Sequence, residues 1–215
     1  MLTFIWSPAQ FFAERLAQPP RWFLALAAPA LCTLLDGAAV HIVTGKIVAN
    51  LTQAQSAAAV PEAALHAARW ASLTTAIAYP ATFAISVLIL ASVDTLAAES
   101  GRQRRYIDLA GLAFAAFLPG CLFAFAAALM WTPSLAFTTD PDSLSRFALT
   151  VRADPWLSTS GILFHFGLAW YVILLAIILT AARSLSAWAS ALVALGLFVS
   201  LGGFRLLQFL PPLTR

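Results

Sequence analysis

The chain of 215 residues is 61% hydrophobic and only 10% charged, with a formal net charge of +3. An ordinary soluble domain is roughly a quarter charged, so this composition excludes a soluble enzyme and predicts a polytopic membrane protein. The cations are too thinly spread to form a nucleic-acid surface, and Cys32 and Cys121, each inside an apolar run, read as small buried hydrophobes.

The first element in chain order is SPAQFFAERLAQPPRW. Ser7 can cap a helix there, with Pro8 at its first position and Gln10 completing an S-x-x-Q capping box, while Pro19 and Pro20 end it. Phe11, Phe12 and Leu16 gather on one face and Glu14 and Arg15 point elsewhere. This predicts a short interfacial helix within an N-terminal segment, 1–21. Nothing basic precedes Glu14 and Arg15, and the first long apolar run begins only near Trp22, so the segment is expected to be retained rather than cleaved as a signal.

A spanning helix needs about 20 mostly apolar residues. Five stretches meet that, roughly 22–44, 70–97, 107–131, 159–182 and 188–210, followed by a tail at 211–215. The expected fold class is therefore all-α, a transmembrane bundle of five helices. Trp22, Trp70, Trp131, Trp156 and Trp188 fall at or near the predicted ends, where indole rings prefer the headgroup region. Arg15 and Arg21 precede span one, Arg102, Arg104 and Arg105 lie between spans two and three, and Arg183 joins spans four and five. Short-loop positive charge then sets the N-terminus in the cytoplasm and the C-terminus outside. The outer loops, 45–69 and 132–158, are long, and the second has turn signals at Asp140-Pro141 and Asp154-Pro155. Tyr79-Pro80 and Pro119-Gly120 predict kinks within spans two and three. Gly161 and Gly167, beside aromatics, predict close helix packing.

The stretch LLDGAAVH places Asp36 and His41 inside span one. A charged residue at the centre of a spanning helix costs roughly 2.5–3.5 kcal/mol, so Asp36 requires a partner or a role. At about 1.5 Å per residue, Asp36 lies ~12 Å and Arg205 ~8 Å from the outer boundary, with His165 at a comparable depth and His41 nearer the surface. Asp36, His41, His165 and Arg205 form the candidate intramembrane polar cluster. Five residues turn Asp36 and His41 about 140° apart on a helix, which makes Asp36 with Arg205 the better pair. Three readings stay open: a polar tie between spans one and five, a site for an ion, proton or small anion, and Arg205 snorkelling to the outer headgroups.

A second set, Asp94, Arg102, Arg104, Arg105 and Asp108 with Glu99, brackets the loop between spans two and three. It reads as interfacial salt bridges, or as a docking surface for a partner or anionic lipid. No H-E-x-x-H, G-x-S-x-G or phosphate-cradling glycine loop occurs, and the three histidines lack metal-ligand spacing. No catalytic residue, metal or cofactor is expected.

Pro8, Phe11, Phe12, Leu16, Pro20, Arg21 and Trp22 form a Pro-x-x-Phe-Phe-x-x-x-Leu start and a Pro-Arg-Trp approach to span one. With the basic ESGRQRRY loop, Pro119-Gly120 in span three and a very short turn after a Trp-bearing span four, they resemble the Yip-type family of membrane proteins. That resemblance implies five spans, a cytoplasmic N-terminus and, in eukaryotes, vesicle trafficking through small GTPases. The long N-terminal region carrying an Asp-Leu-Tyr-Gly-Pro-like motif has no counterpart here, so no small GTPase is expected. The Ala/Leu/Arg-rich composition suggests a bacterial inner membrane. The expected function is non-enzymatic, an accessory or organising subunit binding lipids or other membrane proteins. The alternative is a small transporter or channel component built on the Asp/Arg/His cluster.

Overall fold

The computed structural model describes residues 6–19, 21–54, 62–96, 103–132, 154–182 and 185–201, and every regular element among them is helical. The first, α1 (Pro8–Ala17), begins with Pro8 in its first turn, where the missing N–H was never needed, and stops before Pro19. The expected capping box does not close. Ser7 makes no side-chain cap, and Gln10 instead donates to Glu14 at 3.0 Å.

Two long helices follow, α2 (Trp22–Ala54) and α3 (Glu62–Leu96), running through Pro29 and Pro80 respectively. The third segment is broken: α4 (Gln103–Phe114), a 3₁₀ turn (Ala115–Phe117) and α5 (Leu118–Met130). Proline has no N–H and its ring clashes with the carbonyl four residues back, which for Pro119 is that of Ala115. The tightening therefore falls in the turn directly before it. Asp154-Pro155 is a helix start: Asp154 Oδ1 accepts from the Trp156 and Leu157 N–H groups at 3.0 and 3.1 Å and opens α6 (Pro155–Ala181). Ser186 caps α7 (Ala187–Ser200) by accepting from the Ala189 N–H at 3.3 Å.

The core lies where α4, the 3₁₀ turn and α6 meet, with Tyr106, Phe114, Phe117, Tyr171 and Leu175 essentially inaccessible. The helix α2 packs against α3, α4 and α5, and α6 against α5, α7 and α1. Close approach is set by small residues. A Cβ on Gly111 would overlap the Ala25 backbone where α4 crosses α2, and one on Gly167 would meet Ala116 O at 3.0 Å.

The expectation of five spans is corrected. Among the described residues three helices are long and apolar enough to cross a membrane: Ala25–Ala49, Tyr106–Met130 and Pro155–Ala181. In α3 the apolar stretch found among the described residues is Ile77–Val93, which is shorter than those three. The 14 residues of α7 rise about 21 Å, short of a hydrocarbon core of about 30 Å. The remainder of the stretch expected at 188–210 lies outside the described residues. The chain is an integral membrane protein, and among its described residues every regular element is helical and three helices are of this kind.

Candidate functional site

The helix α2 carries Asp36 near the middle of its apolar stretch, roughly 16 Å from Ala25 and 20 Å from Ala49 at the helical rise. That is deeper than the sequence reading placed it, because the helix continues ten residues beyond the expected end at 44. Asp36 is half-buried and faces a cavity of about 280 Å³. Thr74, Ala78, Tyr79 and Thr82 of α3 line it, with Phe117 of the 3₁₀ turn, Phe164 and Leu168 of α6, and Leu201 just after α7. Among the described residues no side chain donates a hydrogen bond or an ion pair to the Asp36 carboxylate.

The aromatic wall is built by the two proline sites. Tyr79 directly precedes Pro80, and Phe117 sits in the turn that Pro119 imposes. Tyr79, Phe117 and Phe164 pack on one another, with centroids 5.8 Å apart for Tyr79–Phe117, 6.2 Å for Tyr79–Phe164 and 5.6 Å for Phe117–Phe164. Tyr79 is buried, and its hydroxyl accepts a 3.3 Å bond from the Cys121 thiol. Cys121 is therefore not merely a small hydrophobe: it ties α5 to α3 behind the Tyr79 ring.

The remaining residues of the predicted cluster are placed differently. His41 is exposed on α2 and does not line the cavity, as the turn between it and Asp36 requires. His165 is buried, with Nδ1 donating to the Gly161 carbonyl of its own helix at 2.7 Å, and its ring stands edge-on to Phe164. Arg205 lies outside the described residues. So do the side chains of Asp94, Arg104 and Arg105, and the whole of Arg102.

Asp108 is described, and it is not at the surface. It is 3% exposed and pairs with Arg15 of α1, itself 8% exposed, at 2.6 Å. Arg15 was expected to point away from the apolar face. Instead Phe12, fully buried, and Arg15 both enter the bundle, and α1 packs on α6 and α4. Phe11 stands edge-on to Phe12, and Phe11 and Leu16 flank the core. Arg15 also donates to Gln18 at 2.8 Å, which holds the guanidinium at the end of its own helix.

Lys46 falls in the stretch expected as an outer loop, 45–69. Its ammonium donates to the carbonyls of Ala128, Leu129 and Trp131 at 2.8, 2.8 and 2.6 Å. All three of its donors are thus used on the orphan carbonyls at the end of α5, where a cation also meets the negative end of the helix dipole. Among the described residues no group of three or more His, Cys, Asp or Glu could hold a metal ion.

Comparison with known protein families, with curated proteins and with solved structures gives no match to this chain. What the fold and site define is a class: a helical integral membrane protein with a half-buried carboxylate facing a cavity at mid-depth.

Proposed function

We propose that this protein is a small transporter or channel component that receives a small solute at Asp36. The observation that carries the reading is the cavity itself. A carboxylate at mid-span is costly wherever it lacks a counter-charge, and here it faces space lined by Thr74, Thr82 and Tyr79 rather than another side chain. Elsewhere in the bundle an aspartate does tie two helices, where Asp108 pairs with Arg15. The placement in a bacterial inner membrane, with the N-terminus cytoplasmic and the C-terminus outside, belongs to the same proposal and is supported by Arg15 and Arg21 ahead of α2.

The test is solvent access. Asp36→Cys, in a background carrying Cys32→Ser and Cys121→Ser, is treated in intact membranes with a charged, membrane-impermeant methanethiosulfonate. Modification of Cys at that position, from one side and at a rate well above that of a lipid-facing control such as Leu34→Cys, supports the reading. An unreactive thiol sinks it.

A second reading is an accessory or organising subunit that contacts lipids or other membrane proteins, with the Yip-type affiliation that the Pro8, Phe11, Phe12 and Leu16 pattern suggests. It draws support from an apolar groove of about 700 Å³ between α1, α6 and α7, walled by Ala9, Ala13, Ala176, Ala187 and Ala191. Small residues allow close helix approach in lipid. Gentle extraction followed by mass spectrometry decides it, since the reading requires a stoichiometric membrane partner that survives washing.

A further inference from the structure

We propose that the solute received at Asp36 is a small organic cation, an alkylated ammonium of roughly ten non-hydrogen atoms or fewer. The inference rests on the solute-site reading above and narrows it to one chemistry.

Charge comes first. Among the described residues the only charged side chain lining the cavity is Asp36, so an anion meets repulsion there and a neutral solute leaves the carboxylate without compensation in a low-dielectric setting. The carboxylate also lies within electrostatic range of Tyr79, Cys32 and Cys121, none of which supplies a positive charge. Among the described residues none supplies the missing charge, which we assign to the ligand.

The rest of the lining decides which cation. A Ca²⁺ ion takes six to eight oxygen ligands, and Mg²⁺ keeps several waters in an octahedral shell. Beyond Asp36, the side-chain oxygens on this wall are the hydroxyls of Thr74, Thr82 and Tyr79. Thr74 already donates to the Trp70 carbonyl at 2.9 Å, and the Tyr79 hydroxyl already accepts from Cys121. The remaining surface is carbon from Ala78, Phe117, Phe164, Leu168 and Leu201. That surface suits a cation with its own C–H skin, and aromatic rings attract such a cation through their quadrupoles. Of the three packed rings beside the carboxylate, Tyr79 and Phe117 are buried and Phe164, 37% exposed, is the one a cation can reach. Size sets the upper bound. A cavity of about 280 Å³ is at the small end of ligand pockets and equals the liquid volume of roughly nine waters.

The experiment uses the full chain in lipid nanodiscs and reads its thermal unfolding midpoint. Probes are tetramethylammonium, potassium, acetate and uncharged tert-butanol, with ionic strength held constant using sodium chloride. Tetramethylammonium is expected to raise the midpoint saturably, while potassium, acetate and tert-butanol do not. Asp36→Asn is expected to weaken that effect at least tenfold. Phe164→Leu, at a ring that is 37% exposed and so tolerant of trimming, is expected to weaken it several-fold. This second variant keeps the proposal testable should Asp36→Asn fail to fold. A saturable, Asp36-dependent shift with potassium or tert-butanol and none with tetramethylammonium overturns the organic-cation assignment while leaving a solute site at Asp36. Absence of a saturable shift with tetramethylammonium overturns the assignment as well, and if no probe acts and Asp36→Cys is also unreactive, the solute-site reading falls with it.

Discussion

Asp36 and Asp108 are both aspartates in the apolar stretches of this bundle, and the structure treats them in opposite ways. Asp108 on α4 is buried and closed by Arg15 at 2.6 Å. Asp36 on α2 is half-buried and faces a cavity in which no described side chain neutralises it. The first arrangement uses a charge to hold the N-terminal helix in the bundle. The second maintains a charge where packing alone would have removed it. A buried pair and an unpaired carboxylate respond differently to the same chemical change, and that difference can be measured.

The largest effect is expected at the closed pair. Removing one member of a buried ion pair leaves the other charge uncompensated and costs about 3–5 kcal/mol, whereas replacing both with apolar residues is often neutral or stabilising. Arg15→Met and Asp108→Leu alone should each lower stability by about that amount. The double variant Arg15→Met with Asp108→Leu should recover most of it. Unfolding in mixed micelles with increasing SDS reads all three. Equal, additive losses in the double variant would show that the two residues act independently and that the pair does not anchor α1.

A smaller effect is expected at Lys46, which is charge-satisfied in a third way, by carbonyls rather than a carboxylate. Lys46→Met removes three hydrogen bonds at the end of α5 but leaves carbonyls that headgroup water can reach. The expected cost is about 1–2 kcal/mol. Lys46→Arg should keep part of the stabilisation. A loss as large as that of Asp108→Leu would mean the Lys46 end is as sealed as the Arg15 pair.

These contrasts also show what could be read from the residue string. The short N-terminal helix and both its ends were legible, because Pro8 and Pro19 act locally. The close packing at Gly167 followed from a small residue among aromatics, whereas Asp154-Pro155, read as a turn within an outer loop, is the start of α6. Arg15 was misjudged because helical periodicity says which residues share a face, not whether a second helix brings a carboxylate to the edge of it. Lys46 and its carbonyls are separated by more than 80 positions, and no local pattern encodes such a contact. The Cys121–Tyr79 bond was missed for the same reason. The span count failed differently. Mean apolarity admits 70–97 as one run, whereas among the described residues the apolar stretch is Ile77–Val93. Asp36 itself was legible as an anomaly, and the proline at 119 as a kink. That the kink delivers Phe117 to the same cavity required the fold.

The smallest expected effect is the most informative one, the stability of Asp36→Asn. If Asp36 served as a tie to Arg205, its neutralisation would cost about 3–5 kcal/mol, and Arg205→Gln in the same chain would restore it. If Asp36 is instead held ready for a solute, the apo protein gains by losing an uncompensated charge, since an amide is far cheaper than a carboxylate in this setting. Asn is nearly isosteric, so no cavity is created. The unfolding midpoint of Asp36→Asn should therefore equal or exceed that of the wild type without ligand, within about 0.5 kcal/mol if no gain is seen. A fall comparable to that of Asp108→Leu, reversed by Arg205→Gln, would make the two aspartates alike after all and return Asp36 to a structural role. An unchanged or raised midpoint, together with lost cation binding, would separate them: one carboxylate conserves the fold, and the other is carried at the fold's expense.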